Sequence, residues 1–179
     1  MVISMKEHSS CAQEESAPRS DPISNTREWD STWPEADIVV LPGVPGWADP
    51  GADYDVTNPY PSSTSDFVKV LRLEGFCVQY TVSRGDRSPV SINAADIWVP
   101  VLVFALQELV QVPSEILIAA ILRVFGKRIS DDSRLHVHFM QKSPDGNIHE
   151  FKSDGQARDV LRAMQVFGET HRVTDDPST

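Results

Sequence analysis

The chain has 179 residues, of which 40% are hydrophobic and 23% are charged, and its formal net charge is −10 at pH 7. This length and composition are typical of one soluble globular domain with tails. The longest basic cluster is the pair Lys127 and Arg128. Binding to DNA or RNA is therefore not expected, because it usually needs a basic stripe that displaces counterions from phosphates.

The two cysteines, Cys11 and Cys77, are too few for a disulfide framework. A bridge between them is not expected, and Cys77 is interpreted as a structural thiol because no flanking motif would activate it. The first ten residues lack the apolar stretch of a signal peptide, and neither end carries a lipidation motif. The sequence therefore predicts a cytoplasmic protein.

Composition changes along the chain predict its domain organisation. Residues 1–35 contain few large apolar groups and predict a disordered N-terminal arm. Residues 36–168 predict a single domain, and residues 169–179 predict a disordered tail. Within the domain, residues 36–41 read as a strand, and a Pro/Gly-rich loop follows at 42–63.

A helix and a strand are predicted after this loop. Thr64 or Ser65 is the expected cap of a short helix that extends through Glu74. From Phe76 to Ser83, large apolar residues alternate with smaller or polar ones. This period of two predicts a half-buried strand.

The apolar run at residues 97–106 admits two interpretations. Pro100 fits the first turn of a helix, where a missing N–H has no cost, whereas the many valines favour a buried strand. The helix is preferred because residues 107–110 continue a helical pattern better than a strand pattern. With a second helix from Glu115 to Lys127, it predicts an apolar helical pair at about 97–127.

This apolar stretch is not expected to cross a membrane. Glu108 and Glu115 would lie near the bilayer centre, where a charge costs about 2.5–3.5 kcal/mol on insertion scales. The stretch is therefore either a buried core or a surface that docks on a protein or a membrane interface. The candidate interaction residues are Trp98, Val103, Phe104, Ile118 and Leu122.

The last third of the domain predicts a β-hairpin followed by a helix. Residues 134–142 alternate, residues 143–147 form a turn, and residues 148–152 form the returning strand. Ser153 or Asp154 is the expected cap of a helix that ends at Gly168. Its inward stripe is Ala157, Val160, Leu161, Met164 and Phe167.

Taken together, these elements predict an α+β fold. We expect a small, mostly antiparallel sheet made of the hairpin and one or two further strands, packed against helices. No cofactor and no catalytic residue is predicted, because no nucleophile motif or glycine-rich phosphate loop occurs.

His136 and His138 are the candidate metal ligands. They lie on one face of a strand, with Cα atoms about 6.7 Å apart at ~3.3 Å per residue. Zinc needs at least a third ligand. His149 is expected opposite Gln141 or Lys142, roughly 10–13 Å from His138 along the ladder, which is too far for one ion. A solvated histidine face is therefore preferred to a metal site.

The order of elements from Leu71 to Met164 is similar to that of a known family. The segments that carry this likeness are 97–106, 116–125, 135–139, 143–147 and 157–164. They resemble the small effector-associated constant component family of bacterial conflict systems. Members of that family are non-enzymatic accessory domains encoded beside effectors, so the resemblance implies a role through protein contacts.

The sequence supports one functional hypothesis and leaves two alternatives open. The first is a non-catalytic interaction or regulatory module with a protein partner, its oligomeric state left open. One alternative is a small metal-dependent hydrolase that uses the His136 and His138 pair with acids of the 49–58 loop. The other is a peripheral membrane protein that buries residues 97–125 in a lipid interface.

Overall fold

The computed structural model describes residues 36–44, 57–91, 96–105, 113–142 and 147–170. The arm expected at 1–35 lies outside the described residues, as do most of the loop expected at 42–63, most of the turn expected at 143–147, and residues 171–179 of the expected tail.

The described part of the chain forms an α+β fold, as the sequence predicts. It has three α-helices and a mixed main sheet in which most of the paired residues are antiparallel. The strands found in the described ranges are β1 (Ile38–Leu41), β2 (Pro59–Pro61), β3 (Val78–Tyr80), β4 (Ser88–Val90), β5 (Asp96–Trp98), β6 (Val101–Phe104), β7 (Arg134–Lys142) and β8 (Ile148–Gln156). The helices are α1 (Thr64–Leu73), α2 (Pro113–Phe125) and α3 (Ala157–Thr170).

Strand β7 organises the six-stranded main sheet. On one side it pairs with β8 along its whole length in antiparallel orientation, which confirms the predicted hairpin. On its other side it pairs in parallel with β5 and then with β6. Strand β1 lies antiparallel to β6 and parallel to β3, which ends the sheet. Strands β2 and β4 form a separate parallel pair.

One face of the sheet packs against all three helices. Side chains from alternate positions of the strands, among them Val40, Leu102 and Phe139, share one buried cluster with residues of α1, α2 and α3. Each helix supplies a buried stripe at helical spacing, such as Val160 and Met164 in α3. The domain is therefore a two-layer sandwich of helices on a sheet.

The other face of the sheet carries a second, smaller apolar cluster. Its members are Ala36, Val39, Leu41, Val101, Val103 and Met140, all buried. None of the described helices contributes a residue to it. On β7, the same face continues from Met140 to His138 and His136, so it becomes polar towards β5 and β8.

The helical pair predicted at about 97–127 is wrong in its first half, where β5 and β6 lie. Trp98 pairs with His136, and Leu102 pairs with Phe139. Between these two pairs the chain advances four residues from β5 to β6 but only three residues along β7. The extra residue is a β-bulge near Pro100, a position where a residue without an N–H is tolerated. The competing strand interpretation is correct, and the second predicted helix is confirmed as α2.

Three smaller predictions also differ from the structure. Strand β2 lies inside the region expected to be a loop. Ser153 and Asp154 belong to β8, so neither caps α3, and the first N–H of α3 instead donates to the carbonyl oxygen of Ser133 at 2.8 Å. Helix α3 continues past Gly168 to Thr170, which includes two residues expected in the tail.

Cys77 is not the free thiol that the sequence suggested. It lies just before β3, where its backbone N–H donates to the Asp37 carboxylate at 2.6 Å. Its sulfur is in a disulfide. The sequence contains one other cysteine, Cys11, which lies outside the described residues.

Candidate functional site

The face of the sheet away from the helices carries a cluster of polar side chains on β5, β7 and β8. The register places Trp98 of β5 directly beside His136 of β7, and Asp154 of β8 on the other side of the same histidine. Directly paired residues point to the same face of a sheet, so these side chains meet. We call Asp96, Trp98, Arg134, His136 and Asp154 the histidine cluster.

His136 is the centre of the histidine cluster. Its ring is buried and stacks on the indole of Trp98, with ring centroids 3.7 Å apart and planes 5° from parallel. Its Nε2 lies 3.7 Å from Oδ2 of Asp96, and its Nδ1 is in contact with Oδ2 of Asp154. Arg134 donates to the other oxygen of Asp154 at 2.9 Å.

The cluster places an acceptor beside each ring nitrogen of one imidazole. A neutral imidazole has a single N–H and can donate a hydrogen bond to only one carboxylate, whereas a protonated imidazole can donate to both. Neither nitrogen makes a well-aligned hydrogen bond, and the indole N–H of Trp98 is also buried without an acceptor. The arrangement suits packing and orientation more than proton transfer to a substrate.

His138 has a separate carboxylate partner. Its Nε2 lies 2.7 Å from Oε1 of Glu150 on β8. Burial lowers the pKa of His138 below its ordinary value, and the contact with Glu150 offsets part of that effect. Each histidine of the predicted pair is therefore engaged by its own acid from β8.

The histidines do not converge on a common third ligand. His149 pairs with Gln141, which confirms the register expected from the sequence. Within the described part of the chain, no group of three His, Cys, Asp or Glu residues could hold a metal ion. Zinc sites need at least three protein ligands, so these residues provide no basis for a metal centre.

A small cavity lies beside Trp98, where residues of β5 and of the β2–β4 region come close to the C-terminal end of α2. Its volume is about 50 Å³, which is room for a few water molecules and not for a typical organic substrate. The lining residues are Pro61, Ser62, Ser63, Val90, Asp96, Trp98, Phe125 and Arg128. The hydroxyl of Ser63 donates a hydrogen bond to the carbonyl oxygen of Trp98 at 3.1 Å. This proton is therefore already used within the protein.

The five predicted interaction residues fall into two groups. Trp98, Val103 and Phe104 are buried in the sheet. Ile118 is half-buried, and Leu122 is 49% exposed on α2. Only the two α2 residues therefore offer surface to a partner while the domain stays folded.

Helix α2 carries apolar residues on its outer side as well as its inner side, between the charged residues Glu115 and Arg123. Its inner residues, among them Leu117 and Ile121, lie in the core. The outer side exposes Ala119 and Leu122 and leaves Ile118 half-buried, and we call these three apolar residues the α2 outer face. Helix α2 packs against both α1 and α3, so this face lies at the middle of the helical layer.

A second cluster, of aromatic residues and arginine, went unnoticed in the sequence. The rings of Tyr60 and Tyr80 meet edge to face at 5.7 Å, and the guanidinium of Arg87 lies 3.6 Å above the Tyr80 ring. Burial raises the pKa of Tyr60 to about 12, against smaller lowering effects from Thr81 and Arg87. The three residues join β2 and β3, which no local pattern connects.

No helix in the described ranges has the length and apolar character needed to cross a membrane. Comparisons with protein-family models, with curated protein sequences and with solved structures find no match for the chain. The function of this protein is therefore inferred from its own surface and geometry.

Proposed function

We propose that the protein is a non-catalytic interaction module that binds a partner protein through the α2 outer face. The observation that supports this proposal is the exposed apolar side of α2. A helix that is apolar all round normally lies inside a protein. Only two of the thirteen residues of α2 are charged, Glu115 and Arg123, and yet Leu122 is 49% exposed.

The surroundings of this face suit a helical partner. Arg123 of α2 forms an ion pair with Glu74 at the end of α1, which places a charged pair beside the apolar residues. Apolar anchors bordered by polar groups are the usual arrangement of a protein interface. We propose an amphipathic helix of another protein as the occupant, with its apolar side chains against Ile118 and Leu122.

The biological setting that we propose follows the family resemblance. In that setting the protein is a cytoplasmic accessory component of a bacterial defence or effector system. The disulfide at Cys77 is the observation that opposes a cytoplasmic location, because reducing compartments normally keep thiols free. Alkylation of thiols at the moment of cell lysis would decide between the two.

The test compares two substitutions that introduce the same charge at exposed apolar positions. Leu122→Asp changes the α2 outer face, and Val166→Asp changes an exposed position of α3. We expect tagged wild-type protein and Val166→Asp to recover the same partner from lysate of the source organism. Leu122→Asp is expected to lose that partner.

The interaction is then measured with purified partner by calorimetry. We expect Leu122→Asp to weaken binding at least about tenfold, since anchors at the centre of an interface contribute 2 kcal/mol or more. Circular dichroism shows whether each variant is folded. Equal binding by wild type and folded Leu122→Asp would contradict the proposal, and so would the lack of any partner.

A further inference from the structure

Strand β8 has an unusually long outer edge. It spans nine residues, and among the described strands it pairs with β7 alone. The opposite end of the sheet is β3, which has only three residues. The outer edge of β8 therefore presents a long row of backbone N–H and C=O groups that no described strand uses.

The side chains of β8 leave this edge accessible. Phe151 points towards the helices, where it is buried against Phe139 and Phe167. The residues on the other face are exposed: Ile148, Glu150, Lys152, Asp154 and Gln156. Edge strands are usually protected by being short, bent or uniformly charged, whereas β8 is long and its charges alternate in sign.

We propose that a second copy of this chain pairs with β8, so that two β8 strands run antiparallel about a two-fold axis at Phe151. The pairing joins two six-stranded sheets into one continuous sheet. It pairs the outward backbone groups of one edge with those of the other by strand addition. A two-fold contact of this kind is self-complementary and closes at the dimer.

The charges on β8 select this register. With the axis at Phe151, Glu150 lies directly opposite the second copy's Lys152, and Lys152 lies opposite the second copy's Glu150. Opposite charges at directly paired positions stabilise a sheet, and like charges destabilise it. An axis at Lys152 would pair the two lysines with each other, and an axis at Glu150 would pair the two glutamates.

One other register, with the axis at Ser153, would pair Lys152 with the second copy's Asp154. Both carboxylate oxygens of Asp154 are already engaged, Oδ1 by Arg134 and Oδ2 by His136. Glu150 has one oxygen in contact with His138, and its side chain is 57% exposed. The geometry therefore favours the axis at Phe151.

The experiment measures the mass of the full-length protein in solution over a range of concentrations. Analytical ultracentrifugation is expected to show a dimer for the wild type. Lys152→Glu places like charges opposite each other at both pairs, so it should raise the dimer dissociation constant at least about tenfold. The double variant Glu150→Lys with Lys152→Glu exchanges the two charges, and it should restore the dimer.

Lys127→Glu is the matched control, because it makes the same charge change at an exposed position after α2. It is expected to leave the dimer unchanged. Circular dichroism establishes that each variant is folded. For the wild type alone, hydrogen exchange of the β8 amides should slow as the concentration rises, and this measurement does not depend on any substitution.

Three results would overturn the inference. The first is a wild-type protein that stays monomeric at every concentration. The second is a dimer that Lys152→Glu does not weaken. The third is a dimer that Lys152→Glu weakens and that the charge exchange does not restore, which would reject the register at Phe151.

Discussion

His136 stacks on Trp98 and has a carboxylate beside each of its ring nitrogens. Alternation on β7 correctly placed it on the same face as His138, because the side-chain period of a strand is two. Its partner Asp154 was missed because the returning strand was expected to end at Lys152. Strand β8 continues to Gln156, and only this longer register brings Asp154 beside His136.

Replacing His136 tests whether packing or charge dominates in this cluster. His136→Ala removes the ring that stacks on Trp98, and we expect it to lower the free energy of unfolding by about 2–3 kcal/mol. His136→Phe keeps a flat ring, so it should cost less. Urea unfolding of both variants measures the difference, and equal losses would show that the carboxylate contacts matter more than the stack.

The raised pKa of Tyr60 predicts that the protein loses stability at high pH. The Tyr60 phenol has a pKa near 10 in an unfolded chain and about 12 in the fold. At a pH between these two values, Tyr60 is therefore deprotonated in the unfolded chain and still protonated in the fold. Stability therefore falls as the pH rises above 10. Wild type should lose roughly 1 kcal/mol more than Tyr60→Phe between pH 9 and pH 11.

Urea unfolding at the two pH values provides the measurement. Tyr60→Phe should be nearly as stable as the wild type at pH 7, because the hydroxyl is buried without a well-formed hydrogen bond. An identical pH dependence in the two proteins would show that Tyr60 ionises normally.

At the scale of elements, Pro100 explains why one segment was misinterpreted. Proline is tolerated both in the first turn of a helix and at a bulge of a strand, so it does not distinguish the two. A fully buried parallel strand is also apolar on both faces and lacks the alternation that marks a half-buried strand. The hairpin and α3 were predictable because their patterns and turn residues are local.

Two substitutions compare how much a buried strand residue and an exposed helix residue contribute to the free energy of unfolding. Phe104 is fully buried in β6, so Phe104→Ala should lower the free energy of unfolding by about 3–5 kcal/mol. Leu122→Ala is on the α2 outer face and should change it by less than about 1 kcal/mol. Thermal or urea unfolding provides both values, and a small effect of Phe104→Ala would contradict its place in the core.

At the scale of the whole molecule, the fold class was predictable but the strand order was not. The order of elements favoured a layer of helices on a sheet, which is correct. Three of the five ladders of the main sheet are parallel, and they join strands that are distant in the sequence. Such pairings depend on tertiary packing, which no local pattern encodes.

The disulfide at Cys77 gives a prediction for the whole chain. Protein that is denatured without reductant should show no reactive thiol at Cys77, and reduction should expose it. Labelling with a maleimide before and after reduction, followed by peptide mass spectrometry, measures this. Labelling of Cys77 before reduction would show that the bond does not form under those conditions.

The position of β7 in the sequence also affects when the chain can fold during its synthesis. This strand organises the sheet, yet it begins at Arg134, so a ribosome has released most of the domain before β5 and β6 can meet their partner. Until then the edges of β5 and β6 that pair with β7 lack this strand, and the nascent chain is prone to aggregation there. We expect nascent chains that end before Arg134 to be bound by chaperones, and folding to be completed after translation.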